Sequence, residues 1–222
     1  MIKGLIFDHD GTLVDSEKLH YRCWQEIMEA FDVHFSLQEY VEKHNGIPTV
    51  TNAEILIRDY TLDIDAHTLS LQKQVLTQKR FKAQPSALMP FAEKVLKACV
   101  NDGFSLAIAT GAGQKEIQQT FDAHPIGEYF STVATRDDVK RPKPSPDVYQ
   151  LAQKNLGLPA QQCLALEDTQ AGIQSAKASG IFCIAVRNDY TRNADLSSAD
   201  YICDNLHQAY EFIVSGSKMI SE

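Results

Sequence analysis

Phe7-Asp8-His9-Asp10-Gly11-Thr12 is the stretch from which the architecture of this chain can be worked out. It follows a mostly apolar run, residues 2–6, that predicts the first β-strand. Side chains of an extended chain alternate between two faces, so Asp8 and Asp10 can point into one site. Paired carboxylates at the end of a strand suit a hard divalent cation such as Mg²⁺. They equally suit nucleophilic or acid–base roles.

The same motif has a simpler interpretation. Aspartate and glycine favour turns, and an Asp-x-Asp-Gly sequence can merely end a strand in one. Gly11 permits a tight turn under either interpretation. His9 is expected on the opposite face of the strand, as a packing residue and not a base. The rest of the chain is needed to decide between a site and a turn.

Composition sets broad limits on function. The chain has 222 residues, of which 44% are hydrophobic and 23% are charged. Such a chain is typical of a soluble globular protein, with room for one large domain or a core with a smaller accessory domain. The formal net charge of −8 argues against non-specific binding to nucleic acid or to a membrane surface.

The chain is expected to be cytoplasmic. No apolar run approaches the ~20 residues of a membrane span, and the N-terminus predicts a strand rather than a secretion signal. Five scattered cysteines without Cys-x-x-Cys spacing predict buried free thiols in a reducing compartment.

A helical segment interrupts the chain directly after the first strand. Residues 14–17 resemble a helix start with Asp15 or Ser16 as N-cap. Apolar residues then recur at helical spacing to about residue 82, and no convincing strand appears between residues 15 and 85. We therefore predict an all-helical domain over 15–85, inserted into a core domain made of 1–14 and 86–222.

The remainder of the chain alternates between helices and strands. The predicted strands are 105–109, one ending near 133–135, 163–166, 181–186 and one near 201–203. The predicted helices are 92–100, one from about 114, one opened by Ser145 as N-cap and Pro146, and one ending at Gly180, with a loose tail from Ser215. This alternation predicts the α/β class, a doubly wound parallel sheet carrying the inserted helical domain.

Polar residues leave the predicted strands at three places. Asp8 and Asp10 follow the first strand, Thr110 follows the second, and Glu167 with Asp168 ends another. Ligands of such sheets bind at the carboxyl ends of the strands, so these groups are expected to meet. Carboxylates that repel one another become a ligand set once Mg²⁺ is present. Taken with Lys143, they predict a phosphoryl-transfer site.

Each of these residues also has a structural interpretation. Thr110 can cap the helix that follows it. Lys143, in a proline-rich loop, can be an ordinary surface lysine. Glu167 and Asp168 can stabilise the next helix through its dipole. Only the ordered combination favours a site.

Taken in order, the motifs identify a resemblance. Phe-Asp-x-Asp-Gly-Thr lies at 7–12, the threonine at Thr110, Lys-Pro-x-Pro-Asp at 143–147 and Glu-Asp-x-x-x-Gly at 167–172. Over nearly its whole length, the chain resembles the haloacid dehalogenase-like hydrolase superfamily. Within this superfamily, the chain resembles the branch that has a helical cap domain and includes β-phosphoglucomutases and sugar phosphatases. The Asn-Gly-x-Pro-Thr stretch at 45–49 is similar to that of the fructose-1-phosphate phosphatases.

The resemblance implies roles for the carboxylates. Asp8 would be the nucleophile that forms an aspartyl-phosphate. Asp10 would protonate the leaving oxygen and then activate water. Mg²⁺ would be held by Asp8, Asp168 and the backbone carbonyl of Asp10. Glu167 would act on the metal indirectly or through water.

It also implies substrate contacts. Thr110 and Lys143 would hold the transferring phosphoryl group, at a site that includes Gly11 and Gly111. The cap domain would close over the substrate and select the leaving group. The candidate cap contacts are Asp15, His20, Gly46, Thr49 and Lys73. His20 can instead only pack at a hinge, and Lys73 can be a solvated helix lysine.

The predicted function is an Mg²⁺-dependent phosphatase of small phosphorylated metabolites, with sugar phosphates as the favoured class. The alternative is a sugar phosphomutase, disfavoured because mutases of this type tend to carry an arginine at about Thr49, although Arg58 or Lys43 could compensate. A receiver-like phospho-signalling module and a non-catalytic binding protein are weaker alternatives, and a dehalogenase is disfavoured. The expected partner is a phosphorylated small molecule, without nucleic acid or membrane. The expected state is a monomer or a weak homodimer.

Overall fold

The structure is a computed structural model that describes residues 1–219, with side chains described up to residue 216. The chain divides into two compact units: Met1–Asp15 with Ala87–Glu222, and Ser16–Ser86. We call these the core unit and the helical unit. Their boundaries lie within one residue of the predicted domain boundaries.

The helical unit contains helices and no strand among residues 16–86, all of which the structure describes. Its helices are α1 Glu17–Glu29, α2 Leu37–Lys43, α3 Thr49–Tyr60 and α4 Ala66–Ala83. The buried residues of α1 include Cys23, Trp24, Ile27 and Met28, which share one face of a helix with a 3.6-residue period. Asp65 and Ser36 cap α4 and α2 by accepting backbone N–H bonds.

The core unit is built on a six-stranded sheet with the order β3-β2-β1-β4-β5-β6, in which every pairing is parallel. The strands are β1 Gly4–Phe7, β2 Ser105–Ala109, β3 Phe130–Ala134, β4 Cys163–Glu167, β5 Phe182–Val186 and β6 Tyr201–Cys203. The predicted doubly wound α/β fold is confirmed. Because β1 lies between β2 and β4, the chain reverses its direction of travel across the sheet at β1, the place where such sheets bind ligands.

Helices alternate with most strands of the core unit, and the last helix follows the last strand. They are α5 Ala92–Asn101, α6 Gln114–Ala123, α7 Asp147–Leu156, α8 Gln170–Ala178 and α9 Leu206–Met219. The central strands are buried on both faces, as their nearly continuous apolar sequences require: Leu5, Ile6 and Phe7 are all 0% exposed. The edge strand β6 leaves Tyr201 and Ile202 more than one-third exposed.

Some predicted boundaries differ from the structure. Ser145 does not cap α7, which begins at Asp147 with Pro146 at the cap position. The Ser145 hydroxyl instead donates to Asp147 Oδ1 at 2.8 Å. The chain is also not loose from Ser215, because α9 continues to Met219. The last three residues of that predicted tail lie outside the described residues.

Two expectations drawn from composition can be compared with the structure. All five cysteines are described, and each is free and buried. Over residues 1–219, no helix combines the length and the apolar character that crossing a membrane requires.

Candidate active site

The site forms where β1 and β4 end side by side. Phe7 and Leu166 are level in the parallel pair, so Asp8 and Glu167 leave the sheet next to each other. The Asp8 N–H donates to the Leu166 carbonyl at 2.9 Å and extends the strand pairing by one residue. The sheet register therefore brings together carboxylates that lie more than 150 residues apart in the chain.

Three carboxylates cluster at this rim. Oxygen atoms of Asp8, Glu167 and Asp168 all lie within 4.8 Å of one another, and the residues are only 5%, 0% and 0% exposed. Burial, followed by the charge of Glu167, raises the pKa of Asp8 to about 7. Buried carboxylates at such distances need positive charge, and an all-oxygen donor set is the kind that Mg²⁺ prefers. The residues therefore fit the predicted ion.

Lys143 supplies part of that positive charge. Its Nζ lies 2.5 Å from Asp8 Oδ1 and 2.6 Å from Glu167 Oε1, with the lysine side chain 11% exposed. Burial lowers the pKa of Lys143, but the two carboxylates more than offset this effect and raise it above the usual value. The ammonium group therefore stays charged. The interpretation of Lys143 as a surface lysine is wrong.

Glu167 is held by hydrogen bonds on both oxygens. Oε1 accepts from Lys143 and from the Tyr149 hydroxyl at 3.1 Å. Oε2 accepts from the N–H groups of Asp168 and Thr169 and from the Thr169 hydroxyl, at 3.0, 3.2 and 3.2 Å. A Cβ at Gly172 would lie 1.8 Å from Oε1, so the glycine makes room for this carboxylate. Hydrogen-bond donors therefore hold both oxygens of Glu167.

Asp168 is fixed by a residue that the sequence analysis missed. The Asn188 amide donates to Asp168 Oδ2 at 2.8 Å and to the Gly11 carbonyl at 3.0 Å. The Thr12 hydroxyl donates to Asp168 Oδ1 at 3.5 Å. Asn188 follows the end of β5 by two residues, and this position at the carboxyl end of a strand was the available signal.

Gly11 is required by both backbone and space. Its φ is +77°, in the left-handed region that glycine adopts readily. A Cβ there would lie 2.2 Å from Asp168 Oδ2. The glycine thus allows the turn after β1 to approach the carboxylate that follows β4.

Asp10 is the most exposed of the predicted catalytic carboxylates, with its side chain 26% exposed. Its Oδ1 lies 3.3 Å from His9 Nδ1. His9 is 2% exposed, and its Nε2 lies 2.9 Å from the Thr120 hydroxyl. Burial lowers the pKa of His9, but the neighbouring Asp10 and the charges of Asp8 and Glu116 outweigh this effect, so the pKa is raised. His9 is buried as expected, but its contact with Asp10 was not expected from strand alternation.

Thr110 and Gly111 follow β2, the strand on the other side of β1. Thr110 is 1% exposed, and its hydroxyl oxygen accepts the Ala112 N–H at 2.8 Å. The hydroxyl proton therefore remains for donation to another acceptor. Thr110 is not the helix cap, because the cap position of α6 is Gly113. The Gly111 carbonyl accepts from Arg136 at 3.0 Å.

The remaining residues that were predicted to contact the substrate lie partly in the core unit and partly in the helical unit. Asp15, in the core unit, is exposed, and its N–H donates to the Ala87 carbonyl at 2.9 Å. In the helical unit, Lys73 Nζ lies 2.7 Å from His20 Nδ1. Lys73 is 5% exposed, so it is not a solvated lysine.

Gly46 and Thr49 lie around the turn between α2 and α3. Gly46 has a φ of +71°, and Thr49 is the first residue of α3. Contact of these helical-unit residues with a substrate stays a prediction.

Comparison with known proteins shows the class to which this fold and site belong. Residues 5–186 match the family described as haloacid dehalogenase-like hydrolase, and the chain belongs to this family. It is 32% identical over 221 residues to protein CbbY of Rhodobacter capsulatus, covering 94% of this chain and 95% of that one. It is 32% identical over 189 residues to fructose-1-phosphate phosphatase YqaB of Escherichia coli (strain K12), covering 83% and 96%.

The fold is also similar to solved structures. A crystal structure of CbbY from Rhodobacter sphaeroides in complex with phosphate superposes with a TM-score of 0.81 at 29% identity, covering 93% of this chain and 95% of that one. The resemblance drawn from the motifs is confirmed, and so is the prediction of an enzyme of the phosphatase class.

Proposed function

We propose that the protein is an Mg²⁺-dependent phosphatase that hydrolyses small phosphorylated metabolites, with sugar phosphates as the substrate class. The observation that carries the proposal is the meeting of Asp8, Lys143 and Asp168 at one rim of the sheet. A buried nucleophile, a fixed cation and an acidic pair are the parts that phosphoryl transfer needs. The similarity to a phosphatase of fructose 1-phosphate supports the substrate class.

Asp8 and Asp168 would hold Mg²⁺, together with the backbone carbonyl of Asp10. When bound, the ion supplies positive charge that offsets the carboxylates and polarises a phosphoryl oxygen. Asn188 and Thr12 hold Asp168 in place for this role. Glu167 orients Lys143 through its 2.6 Å contact.

In the first step, a carboxylate oxygen of Asp8 attacks the phosphorus of the substrate. The new bond from Asp8 to phosphorus forms while the bond from phosphorus to the leaving oxygen breaks. The leaving oxygen takes a proton from the carboxyl group of Asp10 and departs as an alcohol. The product on the enzyme is an aspartyl-phosphate.

In the second step, the Asp10 carboxylate takes a proton from water while the water oxygen attacks phosphorus. The bond between phosphorus and Asp8 breaks, inorganic phosphate leaves and Asp8 is restored. Asp10 ends the cycle protonated, as it began. Throughout both steps, Lys143 and Thr110 donate to phosphoryl oxygens and stabilise the charge of the transition state.

The helical unit would act as a cap that chooses the leaving group. Its candidate residues are His20, Gly46, Thr49 and Lys73, with Asp15 at the connection. Closure of such a cap excludes bulk water from the phosphoryl group and admits one water for the second step.

The test is a screen of phosphorylated metabolites with and without Mg²⁺, comparing kcat/KM values. We expect Mg²⁺-dependent phosphate release that falls at least about 10³-fold in Asp8→Asn. Asp200→Asn is the matched control, because Asp200 pairs with Lys177 outside the carboxylate cluster. Full activity of Asp8→Asn would exclude the assigned nucleophile. Interconversion of glucose phosphates without phosphate release would favour the mutase alternative.

A further inference from the structure

A short polar chain leads from helix α6 to the catalytic end of β1. The Thr120 hydroxyl oxygen lies 3.3 Å from the Glu116 carbonyl oxygen and 2.9 Å from His9 Nε2. On the other side of the imidazole ring, His9 Nδ1 lies 3.3 Å from Asp10 Oδ1. The ring therefore stands between a fixed threonine and the proposed acid–base residue.

The directions of these hydrogen bonds follow from the number of protons. Thr120 can donate its one proton to Nε2 at 2.9 Å instead of to the Glu116 carbonyl at 3.3 Å, and the neutral ring then carries its own proton on Nδ1. Nδ1 then faces Asp10. The proton on Nδ1 can be donated to one oxygen of the Asp10 carboxyl group, and the other oxygen stays available for the proton that is transferred.

Nδ1 has no better partner. It is buried and lacks a hydrogen bond of good geometry among the described residues. Leaving a buried polar atom unpaired costs about 1–3 kcal/mol. The energy is recovered if the Asp10 side chain, which is close and partly exposed, turns towards Nδ1. An apolar residue would pack at position 9 without this cost, so packing alone does not explain a histidine.

We infer that His9 is a positioning residue that holds the Asp10 carboxyl group in the orientation for proton transfer to the leaving oxygen. The inference rests on the proposed function. His9 exchanges no proton in the net reaction: Asp10 gives its proton to the leaving oxygen and regains one from water. Thr120 and Glu116 fix the ring and so restrict the rotation of Asp10.

The test uses two substrates that need the acid to different degrees. p-Nitrophenolate leaves readily without a proton, whereas phenolate is a poorer leaving group and gains more from an acid. kcat/KM of a two-step enzyme reports events up to departure of the leaving group, so it isolates the step in which Asp10 is the acid. We expect His9→Leu to lower kcat/KM about 10- to 100-fold with phenyl phosphate and about threefold or less with p-nitrophenyl phosphate.

Two further variants test the geometry. The amide of His9→Asn reaches the place of Nδ1 and can donate or accept there, so it should restore most of the phenyl phosphate activity. The amide of His9→Gln reaches the place of Nε2 and meets Thr120 instead, so it should remain as impaired as His9→Leu. If His9 only filled space in the core, His9→Asn would not be more active with phenyl phosphate than His9→Gln.

Thr120→Val keeps the inference testable if the His9 variants fail to fold. Loss of the hydroxyl group that fixes the ring should change the ratio of the two kcat/KM values in the same direction as His9→Leu does. Thr77→Val is the matched control, because Thr77 is a buried helical threonine whose hydroxyl donates to a carbonyl one turn earlier, that of Lys73, at 2.8 Å. Thr77→Val should show the same ratio of the two kcat/KM values as the wild type.

Equal losses with both substrates, or an unchanged ratio in His9→Leu and Thr120→Val, would overturn the positioning role while the phosphatase function stands. A wild-type protein that hydrolyses neither substrate would overturn the proposed function and, with it, this inference. The two failures are therefore distinguishable.

Discussion

Replacing Lys143 with methionine separates the structural role of this residue from its catalytic role. Methionine keeps an unbranched apolar stem but removes the ammonium group. In the wild type, that group contacts Asp8 and Glu167 at 2.5 and 2.6 Å. The variant leaves both carboxylates in place without their shared partner.

The size of the effect follows from burial. The side chains of Asp8 and Glu167 are 7% and 0% exposed. Removing one partner of a buried ion pair costs about 3–5 kcal/mol, because the remaining charge is buried without compensation. For a chain of this size, such a loss lowers Tm by about 6–20 °C.

Bound Mg²⁺ should offset part of the stability that is lost with the Lys143 ammonium group. Without Lys143, the three clustered carboxylates lose their nearest cation, so a bound divalent ion relieves more repulsion than in the wild type. We therefore expect Mg²⁺ to raise Tm more in Lys143→Met than in the wild type. Activity at saturating Mg²⁺ should nevertheless fall about 10²- to 10³-fold, because a donor to the phosphoryl group is missing.

The assay is a thermal melt with EDTA and with Mg²⁺, together with phosphate release from the best substrate of the screen. Lys177→Met is the matched control: Lys177 pairs with Asp200, its side chain is 40% exposed, and its loss should cost no more than about 1 kcal/mol. If Lys143→Met is as stable as the wild type and gains no more from Mg²⁺, the assigned charge balance of the site is wrong.

Three further predictions concern the carboxylates. Gly172→Ala should displace Glu167, because a Cβ would lie 1.8 Å from its Oε1, and a drop in Tm of about 6 °C or more is expected in melts. Asn188→Ala should weaken Mg²⁺ binding about 10- to 100-fold in calorimetric titrations, because it frees Asp168. The raised pKa of Asp8, about 7 against 3.8 when unfolded, makes its stabilising contribution complete below about pH 4 and lost as the pH rises through 7. The Tm of metal-free Asp8→Asn minus the Tm of the metal-free wild type should therefore increase as the pH rises from about 5 to about 8.

Each of these predictions has an opposite outcome. A Gly172→Ala variant that melts as the wild type does would show that Glu167 is free to move. Unchanged Mg²⁺ affinity in Asn188→Ala would show that Asp168 needs no support or is not a ligand. A Tm difference between Asp8→Asn and the wild type that does not vary with pH would contradict the raised pKa.

The sheet and most of the site could be predicted because their signals are local. Strand β2 was predicted with its observed bounds, since an apolar run ends there at a threonine and glycine turn. The carboxylates after β1 and β4 could be expected to meet because parallel strands align their carboxyl ends. Strand order did not have to be known for this step.

The other features of the site depend on contacts that cannot be deduced from the spacing of residues in the sequence. Asn188 binds Asp168 across 20 residues, and only the observed register of β4 and β5 brings them together. His9 contacts Asp10 although ideal alternation places them on opposite faces, because the chain has already left the strand at Phe7. Ser145 had the sequence of a helix cap, but its hydroxyl bonds to a side chain instead.

The central proposal is that Asp8 carries the phosphoryl group during turnover. Mixing the enzyme with its best substrate and Mg²⁺, quenching in acid within one turnover and reducing with borohydride converts an aspartyl-phosphate into homoserine. Peptide mass spectrometry should then find homoserine at position 8, in a substrate-dependent amount, and not at position 10. A turning-over enzyme whose Asp8 is unmodified, or one that carries the phosphoryl group on another residue, would contradict the proposed mechanism.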